Sequence, residues 1–173
     1  MRSLVLTAIG DDRPGLVEAL STTISNAGGN WLESSMAQLA GKFAGILRVT
    51  VPEAAADGLI AALEHMDALK VTVTRASDVA PAASPRRLHL TLVGQDRVGI
   101  VREVSQVLAR HAVNVEELNT LTSSAAMSGE TMFHAKASLQ GGADLDAAAL
   151  QADLEALSND LIVDITLDEV LSI

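Results

Sequence analysis

One short motif occurs twice in this chain. Gly10-Asp11-Asp12-Arg13-Pro14-Gly15 returns as Gly94-Gln95-Asp96-Arg97-Val98-Gly99, at an offset of 84 residues. Each copy follows an apolar, alternating segment and precedes one with helical periodicity. The match runs without a gap from Leu4–Glu33 onto Leu88–Glu117. Leu4, Leu6, Thr7, Gly10, Asp12, Arg13, Gly15, Val17, Ser21, Asn30 and Glu33 all recur in register, about a third of the positions. A duplicated strand–turn–helix leaves little freedom. Both halves must build the same local unit, and the chain is a tandem of one fold.

The rest of each half supports that reading. Leu4, Leu6 and Ala8 alternate with Val5, Thr7 and Ile9, as in a central strand. A helix from about Pro14 carries the apolar stripe Leu16, Val17, Leu20, Ile24 and Ala27, and Gly28-Gly29 ends it. A second strand runs from Asn30 to about Leu39, a hairpin turn follows at Ala40-Gly41-Lys42, and Phe43, Leu47, Val49 and Val51 mark a third strand. Pro52-Glu53 opens a second helix, striped by Leu59, Ile60, Leu63 and Met66, before a last strand at Val71 and Val73. In the second half Ile100, Val101, Val104 and Leu108 repeat the first stripe. Leu121 to Glu130 reads as a longer hairpin connection. Phe133, Ala135, Ala137 and Leu139 mark the third strand, Leu150, Leu154 and Leu157 the second helix, and Val163, Ile165 and Leu167, alternating with Asp164, Thr166 and Asp168, the last strand. The order is βαββαβ in both halves. The expected fold is α+β: two tandem ferredoxin-like units, each a four-stranded antiparallel sheet with two helices on one face. The expected boundaries are 1–78 and 86–173, joined by a Pro- and Ala-rich linker at 79–85.

Charge and composition narrow the function. The chain of 173 residues carries a net charge of −10. Residues 1–78 hold nine acids against six bases, and residues 86–173 thirteen against six. An acidic surface repels phosphate backbones. The fold shared with RNA-binding modules needs aromatic stacking platforms on a basic sheet, whereas this chain has two Phe, one Trp and no Tyr. Direct nucleic-acid binding is therefore not expected. Without cysteine there is no disulfide, thiol nucleophile or thiolate metal site. His65, His89, His111 and His134 show no metal-ligand spacing and read as surface or satisfied side chains. The loop lacks the lysine and the glycine count of a phosphate-binding loop. No cofactor is implied, and no reaction class finds its machinery; the reading is not an enzyme. With no apolar run long enough for a bilayer and no leader pattern at Met1, the expected location is cytoplasmic, with no membrane contact.

The repeated loop has two chemical readings. Asp12 and Asp96 suit helix N-caps, and Pro14 and Gly15 suit turn chemistry. Alternatively, free helix amides can take a carboxylate, while an Asp carboxylate and an Asn oxygen can take an ammonium group. Arg13 and Arg97 oppose the helix dipole where they stand, so their recurrence points to a contact elsewhere: an ion pair at an interface, or a ligand. Asp144, Asp146, Asp153 and Glu155 read as a solvated helix face, and Trp31 as a core or interface aromatic.

The βαββαβ order, with Asp12-Arg13-Pro14-Gly15 after the first strand and Asn30 after the first helix, resembles the ACT domain, a small-molecule regulatory module. Two such units filling a chain of this length resemble the glycine cleavage system transcriptional repressor family. That resemblance implies an amino-acid ligand, with glycine the natural candidate, at an interface between two units. It is contacted by the loop after the first strand and by the start of the second. Carried onto this chain, the ligand-binding residues are Asp11, Asp12, Arg13, Pro14, Gly15 and Asn30, with Asp96, Arg97, Gly99 and Asn114. Val98 stands where the pattern has proline, and Gln95 replaces Asp11, so the second site is not expected to equal the first. The resemblance also implies a regulator of transcription that works through a partner protein, with a homodimer among its expected states. A protein-interaction module with no small-molecule ligand is the alternative.

Overall fold

The computed structural model describes residues 1–76, 86–125 and 129–167. The chain divides into two compact units, Met1–Ala80 and Pro81–Ile173; the expected linker at 79–85 lies outside the described residues. The first unit contains β1 (Arg2–Asp11), α1 (Leu16–Asn26), β2 (Asn30–Leu39), β3 (Lys42–Val51), a 3-10 turn (Glu53–Ala55) leading into α2 (Ala56–Glu64), and β4 (Lys70–Arg75). The second repeats it with β5 (Arg86–Gln95), α3 (Ile100–Arg110), β6 (Asn114–Ser124), β7 (Thr131–Gly141), α4 (Ala147–Glu155) and β8 (Ile162–Leu167). The sheets are ordered β2-β3-β1-β4 and β6-β7-β5-β8, antiparallel throughout. This is the ferredoxin-like arrangement, twice.

Each sheet buries one face. Leu6 lies opposite Leu47 on one side and Val73 on the other. With Leu4, Ala8, Val49 and Val51 it forms a floor onto which α1 sets Leu16, Leu20 and Ile24, and α2 sets Ala56, Leu59 and Leu63. Each leucine so buried contributes roughly 1.5–3 kcal/mol. The second core is built alike, from Leu88, Leu90, Leu92, Leu139, Leu108, Leu150 and Leu154. Among the described residues no polar or charged residue is buried as a whole, although the Ser3 hydroxyl is covered and makes no hydrogen bond.

The structure departs from the expected elements in particular places. Val17 and Val101 are 48% and 44% exposed. Each helical step turns about 100°, so the core face runs through Leu16, Leu20 and Ile24 and leaves Val17 on the flank. Leu121 to Ser124 belong to β6, held there by pairing with His134, Phe133, Met132 and Thr131. The connection beyond still spans more residues than Ala40-Gly41 in the first unit; its residues 126–128, like Asp168, lie outside the described residues. Asp146 is no mere surface charge: its carboxylate caps α4 by accepting from the Ala149 N–H at 3.0 Å.

The repeated loop is a turn of defined type. Gly15 has φ 93° and ψ −2°, and Gly99 has φ 92° and ψ 0°. Those are the angles of the third residue of a type II turn, a position suited to glycine, with proline favoured just before it. In the second unit the Ile100 N–H closes the turn onto the Arg97 carbonyl at 3.3 Å. The helices therefore begin at Leu16 and Ile100, and the N-cap position is the glycine itself, which has no side chain to cap with. Asp12 and Asp96 are not caps; the turn sets them back from the helix. Their N–H groups instead extend the sheets, donating to the carbonyls of Gly41 at 2.9 Å and Thr131 at 2.8 Å. The motif's other glycines serve packing. A Cβ on Gly10 would stand 2.5 Å from the Ala68 carbonyl oxygen, and one on Gly94 2.6 Å from Leu161. Around Gly15, by contrast, the space is open. Backbone angle, not room for a neighbour, is what demands glycine there.

Gly15→Ala should consequently lower unfolding stability by ~1–2 kcal/mol, the cost of a left-handed non-glycine residue. Urea denaturation measures it. An unchanged midpoint would contradict the turn assignment.

Candidate functional site

Asp12, Arg13 and Gly15 line one open surface pocket of about 280 Å³, together with Leu16, Val17, Glu18 and Phe43. The type II turn brings them there. It swings the chain off the end of β1 and presents Asp12 and Arg13, both exposed, beside the start of α1. Val17, on the flank of the helix, and Phe43 supply an apolar wall. The first amides of α1 have no capping side chain, and they carry the positive end of the helix dipole. The carboxylates of Asp12 and Glu18, the Arg13 guanidinium and unclaimed N–H groups thus share one open pocket.

The other expected residues are placed differently. Asp11 turns to Lys42, its partner across the β1–β3 ladder, and forms an ion pair with it. That contact, helped by Arg13 nearby, holds the Asp11 carboxyl below the usual carboxylate range. Pro14 is exposed at the turn and does not line the pocket. Asn30 lies far away. It pairs with Thr50, which pairs with Ser3 at the opposite end of β1 from the loop. At about 3.4 Å per residue that is roughly 25 Å from Asp11. Asn114 stands in the same relation to its own loop, opposite Gln140, which pairs with Arg87. No single unit therefore brings loop and asparagine together.

The second loop has the same backbone and a different electrostatic setting. Arg97 donates from Nη2 to Oε2 of Glu103 in the first turn of α3, at 2.5 Å. The contact pushes the Arg97 pKa up and holds the Glu103 carboxyl down. Asp160 accepts from the Gln95 N–H at 2.9 Å and adds a second negative charge near Arg97. The repeated arginine is here a contact within its own unit, which the sequence reading had assigned to an interface or a ligand. Arg13 makes no hydrogen bond or ion pair with any described residue.

Several residues that sequence reasoning missed matter to this picture. Lys42 was legible only through strand register, and Glu103 only through a turn that folds α3 back toward Arg97. Other recesses offer less. One on the outer face of the first sheet, about 350 Å³, has its charges spent on the Arg48–Glu33 pair at 2.7 Å. A narrow cleft beside α3, lined by Val101, Val104, Leu108, Val115, Leu118 and Phe133, is almost wholly apolar. The histidines are engaged: His65 with the Ala61 carbonyl at 2.7 Å, His111 with Asp153 at 2.8 Å, His134 with Ser123 at 2.8 Å. Asp153, expected on a solvated face, thus makes a hydrogen-bonded contact that joins the end of α3 to α4. Among the described residues no group of His, Cys, Asp and Glu could hold a metal, and no helix is long and apolar enough to cross a membrane. Trp31, Phe43 and Phe133 all pack on the helix-covered sides, leaving no aromatic platform on either outer sheet face.

Comparison with known proteins agrees with the fold. The sequence model of the ACT domain family matches residues 2–74. The glycine cleavage system transcriptional repressor of Escherichia coli (strain K12) is 26% identical over 165 residues, spanning 91% of this chain and 85% of that protein; that of Shigella flexneri matches equally. Among solved structures, an unknown protein from Galdieria sulphuraria superposes with a TM-score of 0.80 at 29% identity, over 96% of this chain and 98% of its own. A second structure, assigned to the glycine cleavage system transcriptional repressors, shares the fold over the same fractions, with a TM-score of 0.67 at 19% identity. The first unit matches the ACT domain family, the second unit repeats its fold, and the chain as a whole is similar to the glycine cleavage system transcriptional repressors.

Proposed function

We propose that this chain is a non-catalytic, amino-acid-responsive regulator, that its ligand lies in the pocket of the first loop, and that it regulates transcription through a partner protein. The pocket carries the reading. Arg13 and the open amides of α1 receive the ligand's carboxylate; the Asp12 carboxylate receives its ammonium group. Glycine is the candidate that the E. coli relative's name suggests. Asn30 and Asn114 can share such a ligand only from another ACT unit, because each stands at the far end of its own sheet. The ligand acts by differential affinity: it favours the arrangement of the chain that holds the loop in its binding geometry, and a partner reads the altered surface.

The fold itself asks nothing of Asp12 beyond its backbone. Its carboxylate caps no helix, so repetition of Asp12 with Arg13 is not explained by inherited scaffolding alone. The second reading, a protein-interaction module without a small ligand, is favoured by the exposed apolar side chains Val115, Leu118 and Leu121 along the edge strand β6.

Thermal denaturation in the presence of each common amino acid separates the two. A ligand at 100 times its dissociation constant raises stability by about 2.7 kcal/mol. Asp12→Ala should keep the melting temperature of the free protein and weaken binding ten-fold or more, since a charge-assisted contact is worth about 1.5–3 kcal/mol. Failure of every amino acid to shift the wild-type transition would favour the interaction module. The partner-mediated reading predicts no complex between the purified protein alone and duplex DNA at physiological salt; a salt-sensitive gel shift at micromolar protein would overturn it.

A further inference from the structure

We propose that Glu103 closes the second loop by acting as a built-in substitute for a ligand carboxylate, so that the chain takes one amino acid, at the first loop. This rests on the reading of the first loop as an amino-acid site. The two loops are superposable in backbone: the glycines share φ and ψ within a few degrees. The helix following each makes the same first hydrogen bond, from the Ala19 N–H to the Gly15 carbonyl at 2.9 Å and from the Glu103 N–H to the Gly99 carbonyl at 3.0 Å. Ala19 and Glu103 are therefore structural counterparts, as they are at the repeat offset. The same arginine precedes both.

Two counterparts around it differ: Glu18, which lines the first pocket, stands where the second unit has Arg102, and Ala19 stands where it has Glu103. At position 19 a methyl group leaves Arg13 open to the pocket. At position 103 a carboxylate already holds Arg97 at 2.5 Å, with both side chains about two-thirds covered. An incoming carboxylate at the second loop must displace one tethered in place, whose effective concentration is on the order of millimolar. Asp160, held by the Gln95 N–H at 2.9 Å, adds repulsion toward a further anion. Mutual stabilisation of the Arg97 and Glu103 charges runs in the same direction.

Two substitutions exchange the settings of the loops. Glu103→Ala gives the second loop the residue of the first; Ala19→Glu gives the first loop the residue of the second. Both positions are partly exposed on a helix, so circular dichroism melts should resemble wild type and verify folding in each variant. Calorimetric titration uses glycine as the probe and, if glycine gives no heat, each of the other common amino acids. The expected stoichiometries are one per chain for wild type, two for Glu103→Ala and none for Ala19→Glu. Two sites in wild type, or one site retained unchanged in Glu103→Ala, would overturn the role of Glu103 while leaving the first-loop site standing. No heat from any amino acid with any of the three proteins would overturn both.

Discussion

A left-handed glycine stands between the first strand and first helix of each unit, and most of what distinguishes this chain follows from it. With φ near 92°, Gly15 and Gly99 end a type II turn and occupy the N-cap position without a side chain. The helix amides are left without a cap, and Asp12 and Arg13 of the first unit line the same pocket as the start of α1. Had the chain used an Asp cap one residue before the helix, the same carboxylate would have been consumed by the amides it now leaves free. The geometry that forces glycine at 15 is thus also what makes a pocket out of a strand-to-helix connection.

Much of the scaffold was legible in the sequence because it depends on local periodicity. Asn30–Leu39 was read at its observed ends, since a double glycine precedes it and a two-residue turn follows. The alternation of Phe133, Ala135, Ala137 and Leu139 identified the buried face of β7. The helix start was misread because Asp12 and Pro14 are both strong N-terminal signals, and either is compatible with a turn that postpones the helix. The Arg97–Glu103 pair was not legible, because a separation of six residues is no neighbour spacing on a helix; only the turn between them closes the distance. Asn30 was joined to the loop by resemblance, as a contact from a neighbouring unit; within its own unit it stands at the other end of the sheet.

Duplication explains the fold of the second unit but not its loop chemistry. Gly94 and Gly99 keep their packing and turn roles, as Gly10 and Gly15 do. The side chains around them differ: Val98, fully exposed, stands where the first loop has Pro14, and Glu103 where it has Ala19. Backbone requirements persist where each unit must fold, while surface charge is free to change.

The central claim is that the first loop holds an amino acid through the amides of α1 and the charges of Asp12 and Arg13. It is tested most directly by titrating the isotopically labelled protein with glycine and following backbone amide resonances. The account predicts that the amides of Leu16, Val17 and Glu18 shift in a saturable way, while those of Ile100, Val101 and Arg102 stay in place. Saturable shifts confined to the second loop or to the outer sheet faces would contradict it.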